Sequence, residues 1–318
     1  MNISQVHWTR GDAVLVLDGD RKALVPLLRR TALDRVAVGK GANGAAFDGA
    51  SIWVANSLSH SLSKINILTN AVTTVGIAGN GLPTCAAFDG AFIWVTNGDT
   101  NDVAKINIAT NALATKVVLG ANAGPTGVAF DGGFMWVANT YTDIVSKIDI
   151  ATNLVVATLH VGTNPYGVAF DGASIWVTNY GSDNVSRIDI VTHAVVTIAV
   201  GTRPYGVAFD GAFIWVSNHY SNNVSKIDPA SNTVIATVAV GSNPFGVAFD
   251  GTFIWVANFG GYNVSKIDVA TNAVVATVGT KIYPIALTFD GADMWVINWQ
   301  DSGPKGSVCR IPAFANLP

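Results

Sequence analysis

The sequence contains no glutamate and few charged residues of any kind. All 21 acidic residues are aspartate, 12% of the 318 residues are charged, and the formal net charge is −3. A chain with this charge has no overall attraction for nucleic acid or for an anionic membrane, although it can still carry a local basic patch. Gly, Thr, Asn and Val are abundant and strong helix formers are scarce, so the composition favours strands and turns.

Cysteines and long apolar runs are also scarce. Cys85 and Cys309 are too few for a disulfide framework, and their spacing is not that of a metal site. No apolar run approaches the length of about 18 residues that a membrane span needs. Met1 to Arg30 lacks the features of a secretory signal. We therefore expect a soluble chain with no membrane span, and its compartment stays open.

An internal repeat runs through almost the whole chain. The tripeptide Phe-Asp-Gly occurs seven times at intervals of 39 to 42 residues. Five residues after each Asp comes a Trp, and three residues after each Trp comes an Asn. The repeated residues are Asp48, Asp89, Asp131, Asp171, Asp210, Asp250 and Asp290; Trp53, Trp94, Trp136, Trp176, Trp215, Trp255 and Trp295; and Asn56, Asn97, Asn139, Asn179, Asn218, Asn258 and Asn298.

Each unit has the apolar patterns of four short strands. In the unit that begins at Pro204 the strands are Tyr205–Phe209, Phe213–Ser217, Asn223–Asp228 and Val234–Val240. The Asp-Gly pair between the first two strands is typical of a tight hairpin. Seven such units predict an all-β fold, a seven-bladed β-propeller with four antiparallel strands per blade.

The ends of the repeat predict how the ring closes. The seventh unit ends near Pro312 without a fourth strand, whereas an unpaired strand, Leu33 to Gly39, precedes the first unit. We predict that this N-terminal strand is the outer strand of the last blade, which protects the sheet edges there. The predicted domains are a non-repeat N-terminal extension, residues 1–32, and the propeller, residues 33–318. Within the extension we predict a hairpin at residues 17–20 and a short helix at residues 22–30.

The repeated side chains are interpreted as structural. We expect each Trp to fill the wedge between blades, against a face of small residues such as Gly206 and Ala208. Each Asp of the turns is expected to cap its own hairpin rather than to form an anionic ring. The third strand of every unit carries a cation, which we expect to pair with the repeated Asp side chains rather than to bind phosphate. These cations are Lys64, Lys105, Lys147, Arg187, Lys226, Lys266 and Arg310.

The repeat resembles a known family. Ile175–Tyr180, Asn184–Asp189 and Val274–Val278 resemble the YVTN repeats of bacterial and archaeal surface and periplasmic propellers, and Asp171–Trp176 is similar to the repeat of virginiamycin B lyase. The resemblance implies a location in the cell envelope or outside the cell. It also implies a role in adhesion, in peptide or nucleic-acid binding or, occasionally, in catalysis. The lyase relies on histidines and glutamates, one of them at the position of the repeated Asn, so no catalytic residue carries over.

The remaining polar residues predict no catalytic, metal or cofactor site. His60 and His219 belong to blades one and five, which is too far apart for one metal ion. A Ser/His/Asp set of Ser221, His219 and Asp183 is interpreted as chance, because the chain has no Gly-x-Ser-x-Gly motif. The two cysteines fall on different blades and are expected to be free, buried thiols.

The units differ from one another mainly in two sets of loops. Alternating strand directions place the loop before the first strand and the loop after the repeated Asn on the same face. In blades four to seven these loops are rich in aromatic residues, whereas in blades one to three they carry small polar residues. Aromatic rings beside a cation can stack on sugars, nucleobases or peptide side chains. The candidate ligand-binding residues are Tyr166, Tyr180, Arg203, Tyr205, His219, Tyr220, Phe245, Phe259, Tyr262 and Trp299, with Lys281 nearby.

These observations leave four functions open. We favour a monomeric, non-enzymatic binding or scaffold propeller whose aromatic face holds a peptide, glycan or small molecule over the central channel. One alternative is a lyase or hydrolase of the virginiamycin B lyase-like group. Another is single-stranded nucleic-acid binding, which the net charge of −3 disfavours. The last is an amplified or engineered propeller with no selected ligand, because units four to six are nearly copies of one another.

Overall fold

The computed structural model describes residues 34–280, 282–299 and 305–313, together with two short strands nearer the N-terminus. These strands, β1 (Val6–Thr9) and β2 (Asp12–Leu15), form an antiparallel two-stranded sheet. The chain divides into two units, Met1–Asp34 and Arg35–Pro318. The hairpin predicted at 17–20 and the helix predicted at 22–30 lie outside the described residues.

The other described strands form seven four-stranded antiparallel sheets, the predicted blades. Strand β3 (Asp34–Val38) precedes the first blade. Blade one contains β4 (Ala42–Phe47), β5 (Ser51–Asn56), β6 (Ser61–Asn66) and β7 (Val72–Gly76), with a single-turn 3-10 helix at Ser57–Ser59. Blade two contains β8 (Pro83–Phe88), β9 (Phe92–Asn97), β10 (Asp102–Asn107) and β11 (Ala112–Val118). Blade three contains β12 (Pro125–Phe130), β13 (Phe134–Asn139), β14 (Ile144–Asp149) and β15 (Leu154–His160).

The remaining four blades follow the same order from the inner to the outer strand. Blade four contains β16 (Pro165–Phe170), β17 (Ser174–Asn179), β18 (Asn184–Asp189) and β19 (Val195–Ala199). Blade five contains β20 (Pro204–Phe209), β21 (Ile214–Asn218), β22 (Asn223–Asp228) and β23 (Thr233–Ala239). Blade six contains β24 (Pro244–Phe249), β25 (Phe253–Asn258), β26 (Asn263–Asp268) and β27 (Ala273–Gly279). Blade seven contains β28 (Tyr283–Phe289), β29 (Asp293–Trp299) and β30 (Gly306–Pro312).

The predicted closure of the ring is confirmed. Strand β3 is the fourth strand of blade seven, in the order β28-β29-β30-β3. The Gly306 N–H donates to the Gly39 carbonyl at 3.0 Å, and the buried Val36 and Val38 pack in one core cluster with Val308. The first propeller strand in sequence therefore completes the last blade and ties the two ends of the repeat together.

Every Phe-Asp-Gly turn is capped by its own Asp, as the sequence predicts. In blade five, Asp210 Oδ1 accepts hydrogen bonds from the backbone N–H groups of Ala212 and Phe213 at 2.8 and 2.6 Å. Asp210 Oδ2 accepts a further bond from the indole N–H of Trp215 at 2.7 Å. The glycine that follows has a φ of 95°, in the region that favours glycine. The turn and the buried Trp are therefore fixed by contacts within five residues of sequence.

The predicted pairing between the repeated cations and the repeated Asp residues is wrong. Lys226 Nζ donates instead to the Val269 carbonyl at 2.7 Å and to Asn272 Oδ1 at 3.1 Å, both in the next blade. Burial lowers the pKa of Lys226 and the charges of Asp210 and Asp268 oppose that shift, so these carboxylates act on the lysine from a distance. In the last blade Arg310 does form an ion pair, but with Asp293, which is not a repeated Asp.

The Trp residues fill the wedges between blades, but against a different face from the one predicted. Trp176 packs in one cluster with Val216 and the partly buried Val207 of the next blade. Ala208 is the cross-strand neighbour of Trp215, so it shares the face of the Trp in its own blade. The face that receives a Trp therefore carries branched apolar residues.

The small residue of the first strand has another role, which is to let neighbouring inner strands approach each other. A Cβ atom on Gly206 would lie 2.4 Å from the Phe245 carbonyl oxygen of the next blade. On Gly167 it would lie 2.5 Å from the Tyr205 carbonyl oxygen. These glycines keep the inner strands close around the channel.

Candidate functional site

The two variable sets of loops meet on one face of the propeller, as predicted. In blade five, Pro204 at the start of β20 pairs with Asn218 at the end of β21. The His219 N–H donates to the Arg203 carbonyl at 2.9 Å, so the two loops are joined by their backbones. We call this side the loop face, and we call the opposite side, which carries the Phe-Asp-Gly turns, the turn face.

The innermost strands surround a narrow central channel. Its cavity measures about 160 Å³. One side is lined by Asn43, Thr84 and Thr126, and the other by Tyr166 and Tyr205. Sites for drug-sized ligands usually measure about 300 Å³ or more. The channel is therefore smaller than the usual site of a drug-sized ligand.

Three rings at the mouth form an inner row. Tyr166, Tyr205 and Phe245 each occupy the second position of a first strand in successive blades. The ring centroids are 4.2 Å apart between the two tyrosines and 4.2 Å apart between Tyr205 and Phe245. Burial raises the pKa of Tyr166 and raises the pKa of Tyr205 well above its ordinary value, so both phenols stay neutral at physiological pH.

Hydroxyl groups from the preceding blade hold the backbone of this inner row. Thr178 Oγ1 donates to the Tyr205 carbonyl at 2.7 Å and accepts from the Gly167 N–H at 2.8 Å. Ser217 Oγ donates to the Phe245 carbonyl in the same way one blade further on. The rings therefore stand on a backbone that the scaffold has already positioned.

A second group of rings extends the inner row through blades six and seven. The Phe259 centroid lies 5.0 Å from Phe245, 4.7 Å from Tyr283 and 6.3 Å from Trp299. Tyr262 and Tyr283 are 4.8 Å apart. We call the connected set the aromatic arc; its members are Tyr166, Tyr180, Tyr205, His219, Tyr220, Phe245, Phe259, Tyr262, Tyr283 and Trp299.

His219 is the titratable ring of the arc. Its centroid lies 4.6 Å from Phe245 and 5.0 Å from Tyr220. Burial lowers the pKa of His219, a hydrogen bond to the backbone at Pro244 opposes that shift, and the positive charge of Arg203 lowers the pKa further. The ring is therefore mainly neutral at physiological pH and packs as an aromatic.

Arg203 is the cation of the arc. Its guanidinium lies 4.7 Å from the Tyr180 ring centroid and 4.9 Å from the Tyr220 centroid. A hydrogen bond to Tyr180, followed by the charge interaction with the same ring, raises the pKa of Arg203. Its φ is 55°, a left-handed conformation that is unfavourable for an arginine. Arg203 and the exposed Tyr220 form the outer edge of the site.

All ten residues predicted from the sequence lie on the loop face: nine are members of the aromatic arc, and Arg203 contacts two of its rings. Lys281 lies outside the described residues. Tyr283 was not predicted, because it precedes Pro284, whereas in blades four to six the aromatic residue follows the proline. Tyr141, which is 73% exposed in blade three, was not predicted either. Tyr141 follows Thr140 as Tyr220 follows His219, so alignment of the units could have found it.

The other candidate catalytic and metal-binding residues do not form a site within the described part of the chain. Ser221 Oγ accepts a hydrogen bond from the Thr202 N–H, and Asp183 Oδ1 accepts one from the Arg203 N–H, so both side chains hold loops. Within the described part of the chain, no three His, Cys or Asp side chains are grouped to hold a metal ion. Cys309 is buried, but Cys85 is only half-buried because it lines the channel.

The repeated Asn is a buried structural residue. Asn218 Nδ2 donates to Asn223 Oδ1 and to Ser225 Oγ, both at 2.8 Å, and the side chain is inaccessible to solvent. This is the position at which the family resemblance places a glutamate of the lyase. A buried amide with these partners cannot act as a general acid or base.

The blades, their closure and the arc define a seven-bladed propeller with a variable loop face. Its fold is similar to that of virginiamycin B lyase from Staphylococcus aureus, with a TM-score of 0.78, 15% identity, and coverage of 89% of this chain and 99% of the other. A structure titled as hydrazine synthase from Kuenenia stuttgartiensis matches with a TM-score of 0.74 and 21% identity, over 87% of this chain and 96% of that one.

A catalytically inactive virginiamycin B lyase from Staphylococcus aureus, solved with quinupristin, matches with a TM-score of 0.76 and 14% identity, over 88% of this chain and all of that one. These likenesses establish the virginiamycin B lyase-like propeller fold. Comparison with protein families and with curated proteins gave no match. No helix among the described residues is long and apolar enough to cross a membrane.

Proposed function

We propose that the protein is a binding propeller that holds a glycan, peptide or small molecule across the loop-face mouth of its channel. The observation that carries the proposal is the aromatic arc, which joins ten rings of blades four to seven in one connected set. The same positions in blades one to three carry mainly small polar residues, such as Asn43 and Thr84.

The asymmetry of the arc supports a role beyond the fold. Propeller folding requires each blade to pack on its neighbours, and the repeated Asp and Trp satisfy that requirement in all seven blades. Aromatic rings on the loop face are not needed for it, because blade one folds with Asn43 at the position of Tyr205. Variable residues on a rigid scaffold are typical of binding sites.

The exposure of the rings supports contact with a ligand. Tyr220 and Tyr262 are 55% and 44% exposed, and the inner row is half-buried, so part of each ring borders solvent. The rings pack against one another in tilted and edge-on pairs, so they present an apolar surface with little conformational entropy left to lose. Asn43, Thr84 and Thr126 line the other side of the channel, where the two threonine hydroxyls are hydrogen-bonded within the propeller.

The test measures binding in wild type and in two variants at equivalent strand positions. Glycan and peptide arrays find a ligand, and calorimetry then measures its affinity. We expect Tyr205→Ala to weaken binding by about 1 kcal/mol or more, the value of a stacked aromatic contact. Asn43→Ala, the matched change in blade one, should have a smaller effect. Failure of any glycan, peptide or small molecule to bind, or equal binding by the Tyr205→Ala variant, would overturn the proposal.

The fold similarity supports a second candidate, lyase activity. The three similar structures include a lyase solved with quinupristin, so this depsipeptide is the substrate to test on the present chain. Incubation with quinupristin and Mg²⁺, followed by mass spectrometry, should reveal ring opening if the candidate is correct. The absence of glutamate from the sequence and the burial of Asn218 argue against it.

A further inference from the structure

We infer that the ligand of the aromatic arc is an acidic sugar, and that Arg203 binds its carboxylate while the rings stack on the sugar. This inference rests on the proposed function, because it assigns a ligand class to the same site. Its starting point is the unusual backbone at Arg203. Left-handed φ values are uncommon for residues other than Gly, Asn, Asp and His.

Arg203 differs in residue type from the equivalent residues of other blades, and its backbone conformation is unfavourable for arginine. The equivalent residues of blades three, four and six are Gly124, Asn164 and Asn243, all left-handed and all of types that tolerate that conformation. Seventeen non-glycine residues in the described part of the chain have positive φ, and fourteen of them are Asn, Asp or His. The exceptions are Ala78, Arg203 and Tyr262, two of which belong to the site. A side chain kept in a strained conformation suggests a use for that side chain.

The Arg203 guanidinium lies against Tyr180 and Tyr220 and is exposed. It hydrogen-bonds with Tyr180 and feels the charge of Asp183, but it is in neither of the ion pairs described below. The ion pairs found among the described propeller residues join Lys116 to Asp102 and Arg310 to Asp293, and neither includes Arg203. Arg203 and its neighbours therefore present a planar cation with donors that are open to solvent. Such a group binds a carboxylate through two parallel hydrogen bonds.

The Arg203 guanidinium lies beside the aromatic arc, on which a sugar ring can stack. Tyr180 contacts both the Arg203 guanidinium, at 4.7 Å, and the Tyr205 ring, whose centroid is 6.4 Å away. One ligand can therefore place a carboxylate on Arg203 and a ring over the arc. A uronic acid combines these two parts within a single residue. Its hydroxyl groups also suit the polar side of the mouth, where the Asn43 side chain makes no hydrogen bond within the described residues.

A sugar fits this mouth better than a peptide does. A peptide that binds as an added strand needs a free sheet edge with room beside it, and a proline-rich peptide needs an elongated groove lined by aromatic residues. The inner strands are edge strands of their sheets, but the channel beside them measures only about 160 Å³ and leaves no room for an added strand. A pyranose ring needs no pocket, because it lies flat on aromatic rings. An acidic peptide is the other ligand that the test must separate.

The experiment compares an oligogalacturonate with its methyl ester, which has the same rings and no charge. Calorimetry at low salt measures both probes on wild type, Arg203→Asn and Lys40→Asn. Asparagine is the residue of the equivalent position in blades four and six, so the Arg203→Asn variant should fold. Lys40 belongs to the corresponding loop of blade one, and its substitution removes one positive charge from the same face.

We expect wild type to bind the acid about ten-fold or more tightly than the ester, the effect of one charge-assisted hydrogen bond. Arg203→Asn should abolish that preference and leave ester binding unchanged, whereas Lys40→Asn should keep the preference. Equal binding of both probes, unaffected by Arg203→Asn, would overturn this inference and leave the proposed function in place. Arg203-dependent binding of an acidic peptide without uronate binding would also overturn it. Binding of neither probe, nor of any ligand on the arrays, would overturn both.

Discussion

The turn face and the loop face of this propeller are built from the same seven units but obey different constraints. On the turn face each blade repeats one hydrogen-bonded motif, in which an Asp caps the hairpin and holds the indole of a buried Trp. On the loop face the backbone pattern also repeats, but the side chains change from Asn43 in blade one to Tyr205 in blade five. The repeated face stabilises the ring, and the varied face is free to acquire a ligand.

The two faces also differ in how well each residue suits its backbone. The glycine of every Phe-Asp-Gly turn has a φ between 94° and 103°, which suits glycine in each case. On the loop face, Arg203 and Tyr262 occupy left-handed positions where other blades have residues that tolerate this conformation, namely Gly, Asn, Asp or His. On the loop face, replacement of Arg203 by the Asn of other blades should therefore stabilise the protein. On the turn face, removal of a repeated residue should destabilise it.

The largest expected effect is on the turn face. Asp210→Ala removes the acceptor of two backbone N–H groups and one indole N–H, so we expect the free energy of unfolding to fall by about 3 kcal/mol. Urea unfolding followed by Trp fluorescence measures the change. Asp210→Asn keeps one acceptor oxygen and should lose less. A fall of less than 1 kcal/mol in the Ala variant would contradict the capping role.

The second prediction concerns the links between blades on the same face. Lys226→Met leaves the Val269 carbonyl without its donor, so we expect a loss of about 2 kcal/mol in the free energy of unfolding. Lys226→Arg is the control, because in blade four Arg187 reaches the Pro229 carbonyl and Asn232 Oδ1 in the same way. The Arg variant should unfold close to wild type. Equal losses in both variants would contradict a role for the hydrogen bonds to Val269 and Asn272.

The third prediction is a gain in stability, and it concerns the loop face. Arg203→Asn relieves a left-handed arginine, so the free energy of unfolding should rise. The loss of the contacts with Tyr180 and Tyr220 opposes this gain and makes it small. Thermal unfolding of the variant beside Lys40→Asn measures the difference. A lower melting temperature for Arg203→Asn would mean that the stack stabilises the fold.

The smallest expected effect is a pH dependence at the turns between third and fourth strands. Hydrogen bonds from Thr192 and Val191 lower the pKa of Asp189, and Asp228 and Asp268 have lowered pKa values through similar bonds. A carboxyl whose pKa is lower in the folded state stabilises it above the unfolded pKa of about 4, and this contribution is lost as the pH falls through the folded pKa.

Blades one and two carry Asn66 and Asn107 at the same position and should show no such dependence. The triple variant Asp189→Asn, Asp228→Asn, Asp268→Asn should therefore lose less stability than wild type between pH 7 and pH 3. Urea unfolding midpoints at the two pH values measure this. Identical pH dependence in both proteins would exclude a contribution from these turns.

Predictions from the sequence succeeded where the partners are close in the chain. The hairpin cap and the four strands of each blade follow from residues within one unit, and the unpaired Leu33–Gly39 segment was enough to predict the closure. The predicted pairing of the cations failed because Lys226 bonds to Val269 and Asn272, which lie 43 and 46 residues away in the next blade. Spacing within a unit contains no information about which group of the next unit lies opposite.

The candidate site also contains residues that could be predicted from the sequence and residues that could not. The aromatic residues of blades four to six could be found by comparison of the units, because they fall at equivalent positions. Tyr283 could not be found in this way, because the order of Tyr and Pro is reversed in blade seven and the ring reaches the arc from a shifted position. The stacking of Arg203 on Tyr180 and Tyr220 also depends on how two adjacent blades meet.

The sequence by itself determined the repeat, the number of blades and the capped turns, since these depend on local hydrogen bonds and on alternation of apolar residues along a strand. Only the tertiary structure decided which face of a blade receives each Trp, which carbonyl each Lys reaches, and which rings join in the arc. Those contacts form between blades, where the relative position of two sheets and not the spacing along the chain sets the distance.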